Sequence, residues 1–563
     1  MKEQADLPLV DPAPVRCWVA VALLFVFAAT WGMTSFGLQD NNEGIYAEIG
    51  REMAAGGDWI IPHLNFVTYI EKPPLLYWCI ATSLKFFGDE EWAVRLVPIL
   101  FFGGTITAVA SFGFFLQRPG TAMRACVILA TAGGFVAMNR SLLFDVPLLC
   151  LTSFALLAFY KWLVTESRFQ LRLFYVLLGC AVMTKGAVPI VLAGGTAFLT
   201  TLYVTRSRSR LFQLFDPLGI VLFFALVLPW HLLASAREPT FARFYFINEH
   251  VLRFLDKRVP RDYYTGPFYY YLVRLPLYLG FWVLVLPLIF KRKTTLDDTA
   301  DPQESSFRAF LWIWFLINLV FFSISKAKAN YYLINGMPPL ALLLGLNWPR
   351  FGKEGGHRRL LGGSVVLLLL TAALPVAWIL FSRKDSTARL LDQKQPGLVF
   401  AVLFLLNLLA IATVIAATRR ETAKTLFLFA LVGLGPLVPA PLLLQYTENA
   451  ISERAIADYI NTQPPADGVV MYRDYEKLSS LAFYIKRPIS VIDSHSDDLY
   501  FARTHGIKPE LFPTAEEFRK SSNGRRIWLV VRDRHLAEAR ALFGLNGFHI
   551  VHTFGTGILL ANW

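Results

Sequence analysis

Runs of about 20 apolar residues, each long enough to cross a ~30 Å hydrocarbon layer as a helix, recur from Cys17 to about residue 443. Hydrocarbon offers no partner to a free N–H or C=O, so a chain of this kind satisfies its backbone within each segment, as helix. About 13 such spans are counted. The first starts after Arg16 and runs to about Leu38. It is longer than the apolar region of a signal peptide and has no small-residue cleavage site, so it reads as an uncleaved span. The chain is 55% hydrophobic, above the usual ~45–50% of soluble domains, and the excess belongs to these spans. Beyond residue 444 that character fades. The expected organisation is a transmembrane part over residues 1–444 and a soluble α/β domain over residues 445–563.

The formal net charge of +13 would suit nucleic acid only if it were gathered on one face. Much of it sits instead in short loops between spans: Arg118 and Arg124; Lys161, Arg168 and Arg172; Arg206, Arg208 and Arg210; Lys291, Arg292 and Lys293; Arg350, Lys353, Arg358 and Arg359; and Arg419, Arg420 and Lys424. Every second loop is basic, which assigns those loops to the cytoplasm. No nucleic-acid partner is expected. An odd span count then leaves the N-terminus inside, and puts the loops 39–91 and 236–269 and the C-terminal domain outside. An enzyme elaborated on that face cannot draw on nucleotide sugars or ATP made in the cytosol. It needs an activated substrate already carried across. The five cysteines lie in or beside apolar segments without metal-binding spacing, so they read as small apolar residues.

The loop 39–91 carries most of the chemistry. Ile45, Tyr46, Ile49 and Met53 have helical spacing, which predicts an amphipathic interfacial helix. Further on, Glu71-Lys72 is followed by Pro73 and Pro74, which restrict the backbone around the pair. A fixed ammonium and carboxylate beside an apolar groove suit a lipid phosphate: the cation meets the phosphate and the acid orients it or holds a metal. Single charges of this sort usually just solvate a loop; here the set argues for a site. Asp145 stands at the start of a span, where an ionisable residue is costly and marks function by default; the plain alternative is a helix-capping acid paired with Arg140. Lys185, Lys326 and Lys328 occupy loops on the same face, with Tyr331 and Tyr332 following. The loop 236–269 adds Asn248, Glu249, His250, Arg253, Lys257, Arg258 and Arg261. His250 with Glu71 is a candidate metal pair, so a divalent metal is the one cofactor under consideration.

In the tail, residues 468–475, 481–485, 489–493, 526–531, 548–553 and 556–561 read as short strands. Thr514 with Glu517 makes a capping box for one helix, and Asp533 can cap another. The tail contains no nucleophile–base pair and no glycine-rich phosphate loop in sequence, which suits a cover over the membrane site or an acceptor-binding domain.

The first-loop set Glu43-Gly44-Ile45-Tyr46-Ala47-Glu48-Ile49 with Arg51-Glu52-Met53, Gly57-Asp58-Trp59, and Tyr69-Ile70-Glu71-Lys72-Pro73-Pro74-Leu75 resembles the GT-C glycosyltransferases of the protein O-mannosyltransferase superfamily. Arg140 with Asp145, Thr184-Lys185-Gly186, Glu249-His250 with Arg253-Phe254, Gly266-Pro267-Phe268-Tyr269-Tyr270-Tyr271, and Lys328 with Tyr332 continue the likeness in order. Within that superfamily the chain looks similar to the bacterial branch of lipid A aminoarabinose (4-amino-4-deoxy-L-arabinose) transferases. The resemblance implies a polytopic helical membrane domain with a large first exterior loop, an exterior soluble domain, and a polyprenyl-phosphate-linked sugar donor. The acceptor would be a lipid A-like glycolipid or a protein, and the setting a bacterial inner membrane with a periplasmic C-terminal domain. The family pattern usually places Asp-Glu where this chain has Asn42-Glu43, and an arginine common in the aminoarabinose branch is Ile45 here.

The expected reaction is a single inverting displacement at the anomeric carbon. The donor and lipid-phosphate residues are Tyr69, Glu71, Lys72, Arg258, Lys328 and Tyr332, with Lys72 foremost in stabilising the departing phosphate. The catalytic candidates are Asp40, Asn42, Glu43 and Asp145. Asn42 cannot accept a proton as a carboxylate does, so Asp40 or Glu43 replaces it, or the acceptor is already an anion and needs no base. Competing readings are a protein O-mannosyltransferase-like enzyme, a lipid-linked sugar transporter, and an inactive homologue that only binds polyprenyl phosphate. A transporter predicts an internal repeat and midplane charges, neither of which the sequence displays.

Overall fold

The computed structural model describes residues 14–261, 265–290, 302–352, 354–382, 396–543 and 547–563. The basic residues Lys291, Arg292, Lys293 and Lys353 lie outside these. Among the described residues, eight helices are long and apolar enough to cross a membrane: Glu91–Phe115, Asp145–Thr165, Arg208–Arg237, Tyr270–Pro287, Pro302–Ile324, Gly355–Trp378, Val399–Thr418 and Thr422–Tyr446. A ninth is made if Pro119–Thr131 and Gly133–Arg140, which meet at 71°, form one broken span. The other expected spans fall on helices that miss that length or apolarity. Val15–Thr30 and Ile190–Thr205 are short, Arg168–Lys185 carries charge at both ends, and the segment from Tyr332 to Asn347 breaks into two helical pieces. Polar and small side chains make close helix packing possible in the absence of a hydrophobic drive between spans. Gly345, for example, sits 2.6 Å from the Thr121 carbonyl when a Cβ is placed on it, so only glycine lets these two helices meet.

The first large loop is built as two helices and a hairpin. Asn42–Ala54 is buried along nearly its whole length. A two-residue hairpin of β1 (His63–Leu64) and β2 (Val67–Thr68) follows, and then Leu75–Phe87. The expectation of an interfacial helix is met only in part: this helix is covered on all sides, by protein rather than by lipid headgroups. Its covering is the tail. Leu38, Ile45, Ala47 and Ile80 share one apolar cluster with Ile456, Met471, Tyr475 and Leu481. Gly44 marks the closest approach: a Cβ there would stand 2.6 Å from the Ser480 backbone nitrogen.

The tail contains a five-stranded sheet of β3 (Gly468–Tyr472), β4 (Ser490–Ile492), β5 (Ile527–Arg532), β6 (His549–Phe554) and β7 (Gly557–Ala561). The spatial order is β4-β3-β5-β7-β6. β3 pairs in parallel with both β4 and β5, while β7 runs antiparallel to β5 and β6. β5 is buried on both faces and accordingly reads as a continuous apolar run, Ile-Trp-Leu-Val-Val, without alternation. The Thr514–Glu517 capping box is present in both directions. Residues 481–485, read above as a strand, form instead the short helix Ser480–Ile485, packed against the first loop. A five-residue apolar run carries no period that separates the two forms; the contact with the Asn42–Ala54 helix decides it.

Candidate active site

A cavity of about 540 Å³ lies between the first loop, the loop 236–269, the ends of several spans and the tail. Asn42, Tyr69, Glu71, Lys72, Asp145, His250, Arg258 and Tyr332 line it, so residues spread over almost 300 positions converge on one space. The Glu71-Lys72 pair enters from the extended segment that Pro73 and Pro74 hold ahead of the Leu75–Phe87 helix. Opposite stands a π-type helix, Arg243–Leu252, which carries Glu249 and His250; such wide turns are rare and frequent at functional sites. Asn248 grips the backbone of Val259 through both its amide oxygen and its amide nitrogen, which fixes Arg258 beside it.

The charges form a lattice. Arg258 lies 3.0 Å from Glu71 and 2.6 Å from Glu249. Lys72 reaches the same two acids at 3.6 and 3.7 Å, and Arg253 reaches Glu249 at 3.2 Å. Burial would raise the Glu249 carboxyl, but Arg258, Lys72 and Arg253 together hold it down at about 2. Glu71 goes the other way: burial and the neighbouring Glu249 raise it against the pull of Arg258. Lys72 is lowered, first by burial and then by Arg253. Cations therefore crowd one another here, and an anion entering the cavity would relieve them. On the far side Lys185 donates to Asp145 at 2.6 Å and lies 4.1 Å from the Tyr332 ring centre, a cation–π distance. Only Oδ2 of Asp145 is engaged; Oδ1 is buried without a protein partner. The remaining wall is apolar. Val191, Val251, Phe254 and Leu255 line the cavity and are also exposed on the outside of the protein, so the charged floor opens along a greasy edge.

Three of the sequence-selected residues turn away from this space. Asp40 accepts hydrogen bonds from the Ser480 backbone and hydroxyl, next to Glu453. Burial lifts its carboxyl to about 7 despite Ser480, Arg532 and Lys477. Glu43 is clamped by Arg95 at 2.8 and 3.1 Å, and Arg95 also donates to the carbonyls of Met33, Phe36 and Gly37. Both acids therefore tie the start of the first loop to its surroundings. Lys328 places its ammonium on the Phe322 and Ser323 carbonyls at 2.7 Å each, closing the C-terminal end of a span where cations are favoured. That leaves Lys185 as the lysine that faces the cavity from the spans.

The Glu71–His250 pair lacks the donor set of a protein metal centre. No group of three His, Cys, Asp or Glu side chains suited to a metal occurs among the described residues. Both Glu71 oxygens face cations, and His250 hydrogen-bonds through Nδ1 to the Tyr245 carbonyl while Nε2 packs on Gly186. A Cβ on Gly186 would fall 1.9 Å from that nitrogen, so the turn there requires glycine. Sequence reasoning passed over Asp497 and Asp498, which the tail contributes to the cavity wall. They sit in a polar loop after β4, and no local pattern sets them apart from solvated acids.

A family model of dolichyl-phosphate-mannose-protein mannosyltransferases matches residues 28–245. The chain is 29% identical to an undecaprenyl phosphate-alpha-4-amino-4-deoxy-L-arabinose arabinosyl transferase of Pseudomonas fluorescens over 84% of each sequence. It is 33% identical to one of Yersinia enterocolitica over 58% of each. The fold follows that of ArnT from Cupriavidus metallidurans, solved bound to undecaprenyl phosphate, with a TM-score of 0.80 over 98% of this chain and 99% of that one at 24% identity. Taken with the multi-pass helical architecture, the sheet domain at the C-terminus and the order of the first-loop motifs, these matches give the chain the fold of ArnT and make it similar, over most of its length, to the aminoarabinose transferases.

Proposed function

We propose that the cavity takes the phosphate of an undecaprenyl-phosphate-linked sugar on the Lys72–Arg258 side and transfers the sugar to an envelope glycolipid such as lipid A. The observation that carries this reading is the join between a buried cluster of mutually crowded cations and an apolar edge exposed on the outside of the protein. A polyprenyl phosphate has that same join between an anionic head and a greasy tail. The relatives named above are transferases of 4-amino-4-deoxy-L-arabinose from undecaprenyl phosphate, which supports an aminopentose as the first sugar to test.

In the reaction the acceptor oxygen attacks the anomeric carbon from the face opposite the phosphate, and configuration inverts. Lys72 and Arg258 take up the charge that gathers on the departing phosphate; fixed donors of this kind act strongly in a water-poor site. The buried, unpartnered Oδ1 of Asp145 would accept from a sugar or acceptor hydroxyl brought against it, with Lys185 fixing the other oxygen. Glu71 and Glu249 hold the cations in place. The alternation of basic loops supports a cytoplasmic N-terminus and a periplasmic C-terminal domain in a bacterial inner membrane, which puts the cavity on the side where lipid-linked sugars are presented.

The direct test is transfer by purified protein from undecaprenyl-phosphate sugars to a panel of glycolipid and protein acceptors. Lys72→Ala is expected to lower turnover by about 10²–10³-fold, the usual loss when a donor to developing charge is removed, and Asp145→Asn to lower it as well. Near wild-type turnover in both variants would sink the assignment. Transfer to a protein hydroxyl but to no glycolipid would move the enzyme to the protein-modifying side of its superfamily.

A further inference from the structure

Five carboxylates line the cavity: Glu71, Asp145, Glu249, Asp497 and Asp498. Three of them are spent. Glu71 and Glu249 answer Arg258, Lys72 and Arg253, and Asp145 answers Lys185 at 2.6 Å. A carboxylate held by a cation is a poor proton acceptor, because the cation stabilises its ionised form. Asp497 is engaged through a contact of its own. Asp498 differs: its one side-chain hydrogen bond comes from the Tyr69 hydroxyl at 3.2 Å, and no ion pair reaches it among the described residues. Its backbone N–H donates to Glu476, which also accepts from the Ser496 hydroxyl, so the loop that presents it is held from behind. Asn42 lines the same cavity and accepts from the Tyr46 hydroxyl, but an amide takes no proton.

We propose that Asp498, carried by the tail, is the general base of the transfer, and that the acceptor attacks through an oxygen that still bears a proton. This rests on the transferase reading above and adds to it the class of acceptor and the role of the tail. The step balances within the cavity. The acceptor O–H gives its proton to the Asp498 carboxylate while its oxygen forms the bond to the anomeric carbon. The bond from that carbon to the phosphate oxygen breaks, and its electron pair leaves with the polyprenyl phosphate towards Lys72 and Arg258. Tyr69 orients the base. Burial, then Glu71 and Glu476, push the Asp498 carboxyl well above the usual range, so it binds a proton more tightly than an ordinary carboxylate, while Arg258 and Lys72 pull it back. Tyr46, Tyr69, Tyr77 and Tyr475 also feel its charge.

The test uses the full chain in nanodiscs with an undecaprenyl-phosphate sugar and a hydroxyl-bearing glycolipid. Asp498→Asn is expected to lower turnover by about 10²–10⁴-fold, the usual contribution of a positioned base. The thermal shift produced by undecaprenyl phosphate alone should stay as in wild type, and the acid limb of the pH–rate profile should disappear. Asp498→Glu should keep much of the activity, and adding Asn42→Asp to Asp498→Asn should restore part by returning a carboxylate to the same cavity. Turnover of Asp498→Asn within about threefold of wild type would overturn the base assignment and leave the transferase reading standing. So would equal losses in the Asn and Glu variants together with a lost thermal shift, which would mark a structural residue. A wild-type protein that binds undecaprenyl phosphate but transfers from no donor would overturn both.

Discussion

Residues 40–43 and residues 69–72 both bring acids into the first large loop, and the two stretches use them differently. At the early end, Asp40 and Glu43 point away from the cavity, one into the tail at Ser480 and the other onto Arg95. At the late end, Glu71 and Lys72 point inward and meet Arg258 and Glu249. Both ends bury their charge and both pair it. The distinction is what the pairing leaves over. Arg95 is consumed by three carbonyls and one carboxylate, so that knot is closed. The late end keeps cations that crowd each other around a space. A closed charge network holds a fold together; the late one borders a cavity and leaves its cations facing that space.

Three variants push on this contrast. Arg95→Ala leaves Glu43 buried without its cation and frees three carbonyls, and breaking such a pair from one side costs about 3–5 kcal/mol. We expect a large fall in the thermal midpoint, while the protein that remains folded still shifts its midpoint with undecaprenyl phosphate. Loss of that ligand response at unchanged stability would put Arg95 in the binding site and erase the contrast. Gly44→Ala sets a Cβ 2.6 Å from the Ser480 nitrogen, and overpacking of this kind costs roughly 1–3 kcal/mol. The tail should be prised from the loop, seen as faster protease cleavage between the last span and β3. An unchanged cleavage rate would mean that the contact at Ser480 yields without cost.

Asp40→Asn is the mildest of the three. The Asp40 carboxyl is raised by burial from 3.8 to about 7, so the folded state binds its proton more tightly than the unfolded chain does. The stability this contributes is full below about pH 4 and is lost as pH rises through about 7. Wild type should therefore lose several degrees of thermal midpoint between pH 5 and pH 8, and the Asn variant should lose less. Glu453, raised by burial and by Asp40, keeps part of the slope. A variant curve as steep as that of wild type would remove Asp40 from the account.

Much of the membrane part was legible because a ~30 Å slab imposes one length and one polarity on every span, and the chain repeats them. The Glu71-Lys72 pair was legible because two prolines follow it. What escaped were directions and partners. The sequence offers Asp40, Glu43 and Lys328 as charges on the proper face, but the turn of each backbone sends them to Ser480, Arg95 and two helix-end carbonyls. Asp498 escaped for the opposite reason, since a solvated acid and a cavity acid look alike until the tail is laid on the loop. The helix at 480–485 was misread because its partner is the Asn42–Ala54 helix, more than 400 positions away.

The placement of Asp497 and Asp498 in the cavity wall also bears on how such chains can be recombined. Residues after the last span look like a separable appendage, one that could be traded between relatives without touching the chemistry. Here that appendage supplies part of the cavity wall. A hybrid that took its tail from a relative would inherit a different wall, with its own acids and its own fit to Gly44. With Asp498 as the base proposed above, acceptor preference would travel with the graft rather than with the spans.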